Sequence, residues 1–101
     1  MDNKLFMVEF EVPSPLTVGF MRKIPAHRKM VNRFLADDKI VNYTLSMDKS
    51  KLWMVVKAPS EFDAEAIIAE LPLTMYMTPV MHQLMFHNNS FDLRLPALSL
   101  N

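Results

Sequence analysis

A chain of 101 residues is long enough for one domain and too short for two, and with half of its residues apolar it carries more hydrophobic surface than one small core takes in. Eleven basic residues balance eleven acidic ones, which excludes the basic excess of a nucleic-acid binder, and the lack of cysteine excludes disulfides and thiolate metal sites. No apolar run approaches the roughly 20 residues that span a bilayer, and no secretory leader precedes the first strand, so a soluble, cytoplasmic protein is expected.

Lys4 to Val12 alternates: Phe6, Val8, Phe10 and Val12 share one side, Leu5, Met7, Glu9 and Glu11 the other. That period of two predicts a strand with one wholly apolar face. Pro13-Ser14-Pro15 ends it. From Leu16 to Ala36 the apolar residues Leu16, Phe20, Ile24, Val31, Phe34 and Leu35 follow a helical period. Pro25 lacks an amide proton and disfavours helix at Ile24, so two pieces are expected: a short turn or helix near 17–23, then a stronger helix from Pro25 to Ala36.

Ile40 to Met47 and Lys51 to Ala58 read as a second and third strand, joined through Asp48-Lys49-Ser50 as a hairpin. Ser60 is a fitting N-cap, with Asp63 three residues on as a weak form of the capping box. The helix it opens should run to about Glu70 and bury Ala64, Ile67, Ile68 and Leu71, until Leu71-Pro72-Leu73 breaks it. Thr78 to Phe86 is the fourth strand, with Val80, His82, Leu84 and Phe86 opposite Met81, Gln83 and Met85. The tail, residues 90–101, has no clear period but holds five large apolar side chains, and is expected to pack on its own domain or on a neighbour.

Strand, helix, strand, strand, helix, strand is the split βαβ order. It implies an α+β domain over residues 1–89: a four-stranded antiparallel sheet with both helices on one face. The other face, expected to carry Leu5, Met7, Met81 and Met85, is too apolar to stand open, and a second copy laid face to face would cover it. A homodimer is therefore expected.

Leu71-Pro72-Leu73-Thr74-Met75-Tyr76-Met77 resembles the LPLxxYM segment of the muconolactone isomerase family. Ser60-Glu61-Phe62-Asp63-Ala64-Glu65-Ala66 is similar to that family's second-helix start, and Leu84-Met85-Phe86-His87-Asn88 to the histidine closing its last strand. The resemblance covers about the first ninety residues. It implies a ferredoxin-like fold, dimeric α/β barrels that sometimes join into larger assemblies, and a double-bond shift in a small lactone of aromatic catabolism, without a cofactor. Two positions depart from the pattern. Where the family carries an acidic residue in the first helix, this chain reads Ala26-His27-Arg28-Lys29, and its second strand reads Val41-Asn42-Tyr43-Thr44-Leu45 in place of Arg-His-x-Trp-Arg.

His27 and Arg28 each stand three or four positions from Ile24 and Val31, so helical spacing places both on or beside the apolar stripe. A cation turned toward a sheet needs a carboxylate, a carbonyl or a ligand, and Glu9 or Glu11 are the candidates on the first strand. Either the pair is structural or it lines a pocket. In the family's chemistry a base near neutral pKa and a stabiliser for enolate charge are required, roles open to His27 and Arg28. Tyr43, Tyr76, Met77, Trp53 and His82 are candidate pocket residues, against the plainer reading of packed aromatics, core filler and a satisfied core histidine. The ten methionines divide the same way. His82 and His87 stand an odd number of positions apart, so a regular strand sends them to opposite faces and no metal site is expected. Two functions remain open: a cofactor-independent isomerase-like enzyme acting on a small carbonyl compound, or a non-catalytic homo-oligomer that binds a small molecule.

Overall fold

The computed structural model describes residues 2–87; the tail lies outside them. Four strands, β1 (Lys4–Glu11), β2 (Ile40–Leu45), β3 (Lys51–Ala58) and β4 (Thr78–Gln83), form one antiparallel sheet in the order β2-β3-β1-β4. Helices α1 (Val18–Ala36) and α2 (Glu61–Ala69) cover the same side of it. This is the ferredoxin-like α+β arrangement.

The period-two residues of β1 explain the core. Phe6, Val8 and Phe10 are almost fully buried, flanked by Leu52, Met54 and Val56 of β3 and roofed by Phe20, Val31 and Phe34 of α1 with Ala64 and Ile68 of α2. Both helices start where a hydroxyl accepts a backbone N–H of the first turn: Thr17 Oγ1 from Phe20 (3.1 Å) and Ser60 Oγ from Asp63 (3.1 Å). α1 ends with Asp38 in the left-handed region (φ 58°) and the Lys39 N–H returning to the Phe34 carbonyl, a Schellman closure. The β2–β3 hairpin turns at Lys49 (φ 65°), where Asp48 accepts from Ser46 Oγ, Ser50 Oγ and the Ser50 N–H. Those bonds hold its carboxyl down at about 2.

Three expectations are corrected. First, α1 is one helix through Pro25, not two pieces. Pro25 sits on the exposed face, so water can solvate the carbonyl that its missing N–H leaves free, while Phe20, Val31 and Phe34 anchor both halves to one core. A proline inside a helix costs about 3 kcal/mol relative to alanine. Pro25→Ala should accordingly raise unfolding stability by about 1–3 kcal/mol in urea titration; a loss would show that the proline is needed for packing.

Second, β4 stops at Gln83 rather than Phe86. Its last bond to β1 is Leu84 N–H to the Leu5 carbonyl, and β1 begins at Lys4, so no partner strand remains for the rest. Third, Met81 does not share a face with Leu5 and Met7. The register pairs Met7 with His82 and Val8 with Met81, so Met81 packs on the core while Val80 and His82 look outward.

The helix-free face thus carries Leu5, Met7, Val55, Trp53 and Val80, with Glu9 set between Trp53 and Val80, His82 beside Met7, and Glu11 and Lys51 at one end. Val55 has no exposed surface even here, set between Met7 and Asn42. A register shift follows Ile40 on β2, and Asn42 Oδ1 accepts the Val55 N–H (3.2 Å) beside it.

Candidate functional site

The cleft that gathers the predicted residues lies between α1 and the edge of the sheet. α1 presents Ile24, His27, Arg28, Val31 and Leu35 along one stripe, β2 contributes Tyr43, and Leu73 and Met77 close the inner end. Its volume is about 690 Å³, within the roughly 300–1,000 Å³ of small-molecule sites. Apolar side chains dominate the lining; among the described residues the charged ones are Arg28 and Lys49, and no carboxylate lines it. A larger concavity of about 810 Å³ opens at the other end of the domain, lined by Asp37, Asp38, Asp63 and Glu70 among others. There Lys57 is already paired with Asp38 at 2.6 Å on an exposed surface, and among the described residues no unpartnered buried polar group points to a ligand.

His27 is the one buried polar residue among those described, 4 % exposed. The partners are not Glu9 or Glu11, which lie on the opposite sheet face and bind Trp53 Nε1 (2.8 Å) and Lys51 Nζ (2.9 Å). Instead the Leu73 backbone N–H donates to His27 Nδ1 at 3.3 Å, and Nε2 lies 2.7 Å from the Tyr43 hydroxyl oxygen. A backbone N–H can only donate, so Nδ1 carries no proton. The neutral ring then holds its proton on Nε2 and gives it to Tyr43. Burial pushes the His27 pKa below its ordinary value, which favours that neutral form, and raises the Tyr43 phenol to about 12.

With both ring nitrogens engaged, His27 could take a substrate proton at Nδ1 only by giving up the Leu73 amide. Arg28 stands exposed on the rim next to it, with no hydrogen bond or ion pair inside the described residues. Tyr43 and Met77 also line the cleft.

Trp53, Tyr76 and His82 do not line it. Trp53 and His82 are on the helix-free face, where His82 is exposed rather than a core histidine. Tyr76 wedges against the start of α1, edge-to-face with Phe20 at 5.8 Å and beneath Lys23. A Cβ on Gly19 would stand 2.8 Å from the Tyr76 hydroxyl. Gly19→Ala should therefore lower stability by about 1 kcal/mol despite alanine's better helix propensity, and Tyr76→Phe in the same chain should recover most of it in thermal melts. Equal losses in the single and double variants would refute the clash.

Leu73, Asn32 and Lys49 were not anticipated. Asn32 follows Arg28 by four positions, so helical spacing could have found it. Leu73 acts through its backbone, for which side-chain pattern offers no signal, and Lys49 arrives through the hairpin. Among the described residues no helix is long and apolar enough to cross a membrane. No family model and no curated protein matches the sequence.

Proposed function

We propose that this protein binds a small, mostly apolar carbonyl compound in the α1 cleft. The supporting observation is the His27–Tyr43 pair, buried at His27 and half-buried at Tyr43, in the lining of a mostly apolar, open concavity. A polar pair there supplies orientation, and the surrounding side chains supply most of the binding area. No metal or cofactor enters this reading. Filling the cleft from its rim tests it. Leu35 is 38 % exposed, so Leu35→Trp should leave the fold intact while weakening binding of cyclic ketones, followed by amide NMR shifts, at least tenfold. Shifts of equal size and midpoint in both proteins would place binding elsewhere.

A second reading is a cofactor-independent isomerase like those of the muconolactone isomerase family, acting on an unsaturated lactone or related aromatic catabolite. What favours it is that the LPLxxYM-like segment reaches the cleft: Leu73 holds His27 and Met77 lines the floor. Here His27 would be the base and Arg28 the clamp on developing enolate charge, with His27 exchanging the Leu73 amide for the substrate's proton. The bound state of His27 makes it a reluctant base, so binding is the better-supported function.

The same reading takes the protein as a homodimer, or an assembly of dimers, joined through the helix-free face. The longest strands have eight residues, so at about 3.3 Å per residue and 4.8 Å between strands that face measures roughly 500 Å². Two copies would hide on the order of 1,000 Å², at the low end for a specific interface. Leu5, Met7 and Trp53 supply its apolar surface on the two central strands, and Val80 adds to it on the edge strand.

A further inference from the structure

We infer that the Tyr43 hydroxyl is the selecting group of the cleft: a hydrogen-bond donor, held in that sense by His27, that admits ligands bearing an acceptor oxygen on an apolar body. The inference rests on the cleft being a binding site, as proposed above, and adds what it distinguishes.

The polarity follows from a chain of three groups. The Leu73 N–H has no choice but to donate, so His27 Nδ1 accepts and Nε2 carries the ring proton. That proton occupies a lone pair of Tyr43 Oη at 2.7 Å. The phenolic proton is then directed away from His27 and meets no acceptor among the described residues, on a side chain that lines the cleft. A ring flipped to the other tautomer would set an Nδ1–H against the Leu73 N–H, two donors face to face in a buried site, which costs the desolvation of both. The backbone of the 71–77 segment therefore sets the direction of a hydrogen bond in the cleft through two side chains.

Charge points the same way. Among the described residues Arg28 and Lys49 line the cleft and no carboxylate does, so oxygen-bearing neutral or anionic ligands are favoured and ammonium compounds are disfavoured. A ketone, a lactone or a carboxylate shares the needed chemistry: an sp² oxygen that accepts. His27 is then a positioning residue acting through Tyr43.

The test uses 1-indanone, indane, which lacks the oxygen, and 2-aminoindane as its hydrochloride, with the full-length protein. Wild type should bind 1-indanone about tenfold more tightly than indane, as one neutral hydrogen bond gives, and 2-aminoindane more weakly than either. In Tyr43→Phe the ratio of indanone to indane should fall to about one. Nitrogen-15 shifts of the His27 ring should report a protonated Nε2 and a bare Nδ1. A tenfold preference that survives Tyr43→Phe, no preference in wild type, or a ring protonated at Nδ1 overturns the inference while leaving the cleft as a site. Failure of both indanone and indane to bind removes the binding site as well, and the inference with it.

Discussion

His27→Ala should lower unfolding stability by about 3–5 kcal/mol, one of the largest effects expected in this chain. Two losses combine. The Leu73 N–H loses its acceptor in a buried place, worth about 1–3 kcal/mol, and removal of a 4 % exposed ring leaves a cavity that costs a further 2 kcal/mol or so. For a domain of this size each kcal/mol moves the melting midpoint by about 4–8 °C, so a drop above 12 °C is anticipated. Conservative variants separate the terms. His27→Leu fills most of the volume and should lose only about 1–3 kcal/mol. His27→Asn puts a carbonyl oxygen near the Nδ1 position and should do better than alanine. An alanine variant as stable as wild type in urea titration would show that neither the bond nor the packing matters.

The same residue gives stability a pH dependence of definite sign. Burial lowers the folded-state pKa of His27 below its ordinary value of 6.5. Above 6.5 the ring is neutral in both states and its full contribution is present. As pH falls from 6.5 through the lowered folded pKa, the unfolded chain binds the proton first and stability declines. Protonation at Nδ1 also opposes the Leu73 N–H, which adds to the decline. His27→Asn should flatten the stability profile across that window.

The second large effect concerns the helix-free face. If two copies join there, lysines at Met7 on the central strand β1 and at Val80 on the edge strand β4, across from Glu9, put charge into the contact. The lysine at Met7, with no carboxylate across from it on either neighbouring strand, costs several kcal/mol when buried unpaired. Association should weaken by more than about 1,000-fold. In sedimentation at about 10 µM the wild type should run as a dimer and the double variant as a folded monomer with unchanged circular dichroism. Val80 is 48 % exposed and Met7 half-buried in the single chain, so neither change disturbs the helix-side core. A wild-type chain that is monomeric at that concentration would end the dimer reading.

How far local pattern reached is clearest in β1 and β3. Their alternation and lengths depend on side chains two residues apart, and the expected bounds differ from the observed ones by at most one residue. Ser60 as a cap and 48–50 as a turn are similarly local, each decided within about four residues. Pro25 shows where local preference loses. The rule against proline in helix interiors is worth about 3 kcal/mol, and burial of Phe20, Val31 and Phe34 against one sheet outweighs it.

Placement of the candidate site divides in the same manner. Helical spacing put His27 beside the apolar stripe, and Tyr43 and Met77 line the same cleft; Trp53, Tyr76 and His82 are placed elsewhere by the fold. For Trp53 and His82 what decided was register. The pairing of Met7 with His82 turns every second residue of β4 outward, and alternation along one strand is identical for either choice. The partners of His27 sit 16 and 46 positions away, brought within hydrogen-bond reach only when α1 lies across the sheet. Sequence by itself determined the order of strands and helices and most of their apolar stripes, because those arise from periodicities of two and 3.6 residues. Only the tertiary structure decided which faces meet, and so which proton His27 holds, because hydrogen bonds between distant segments depend on register and crossing geometry that no short window contains.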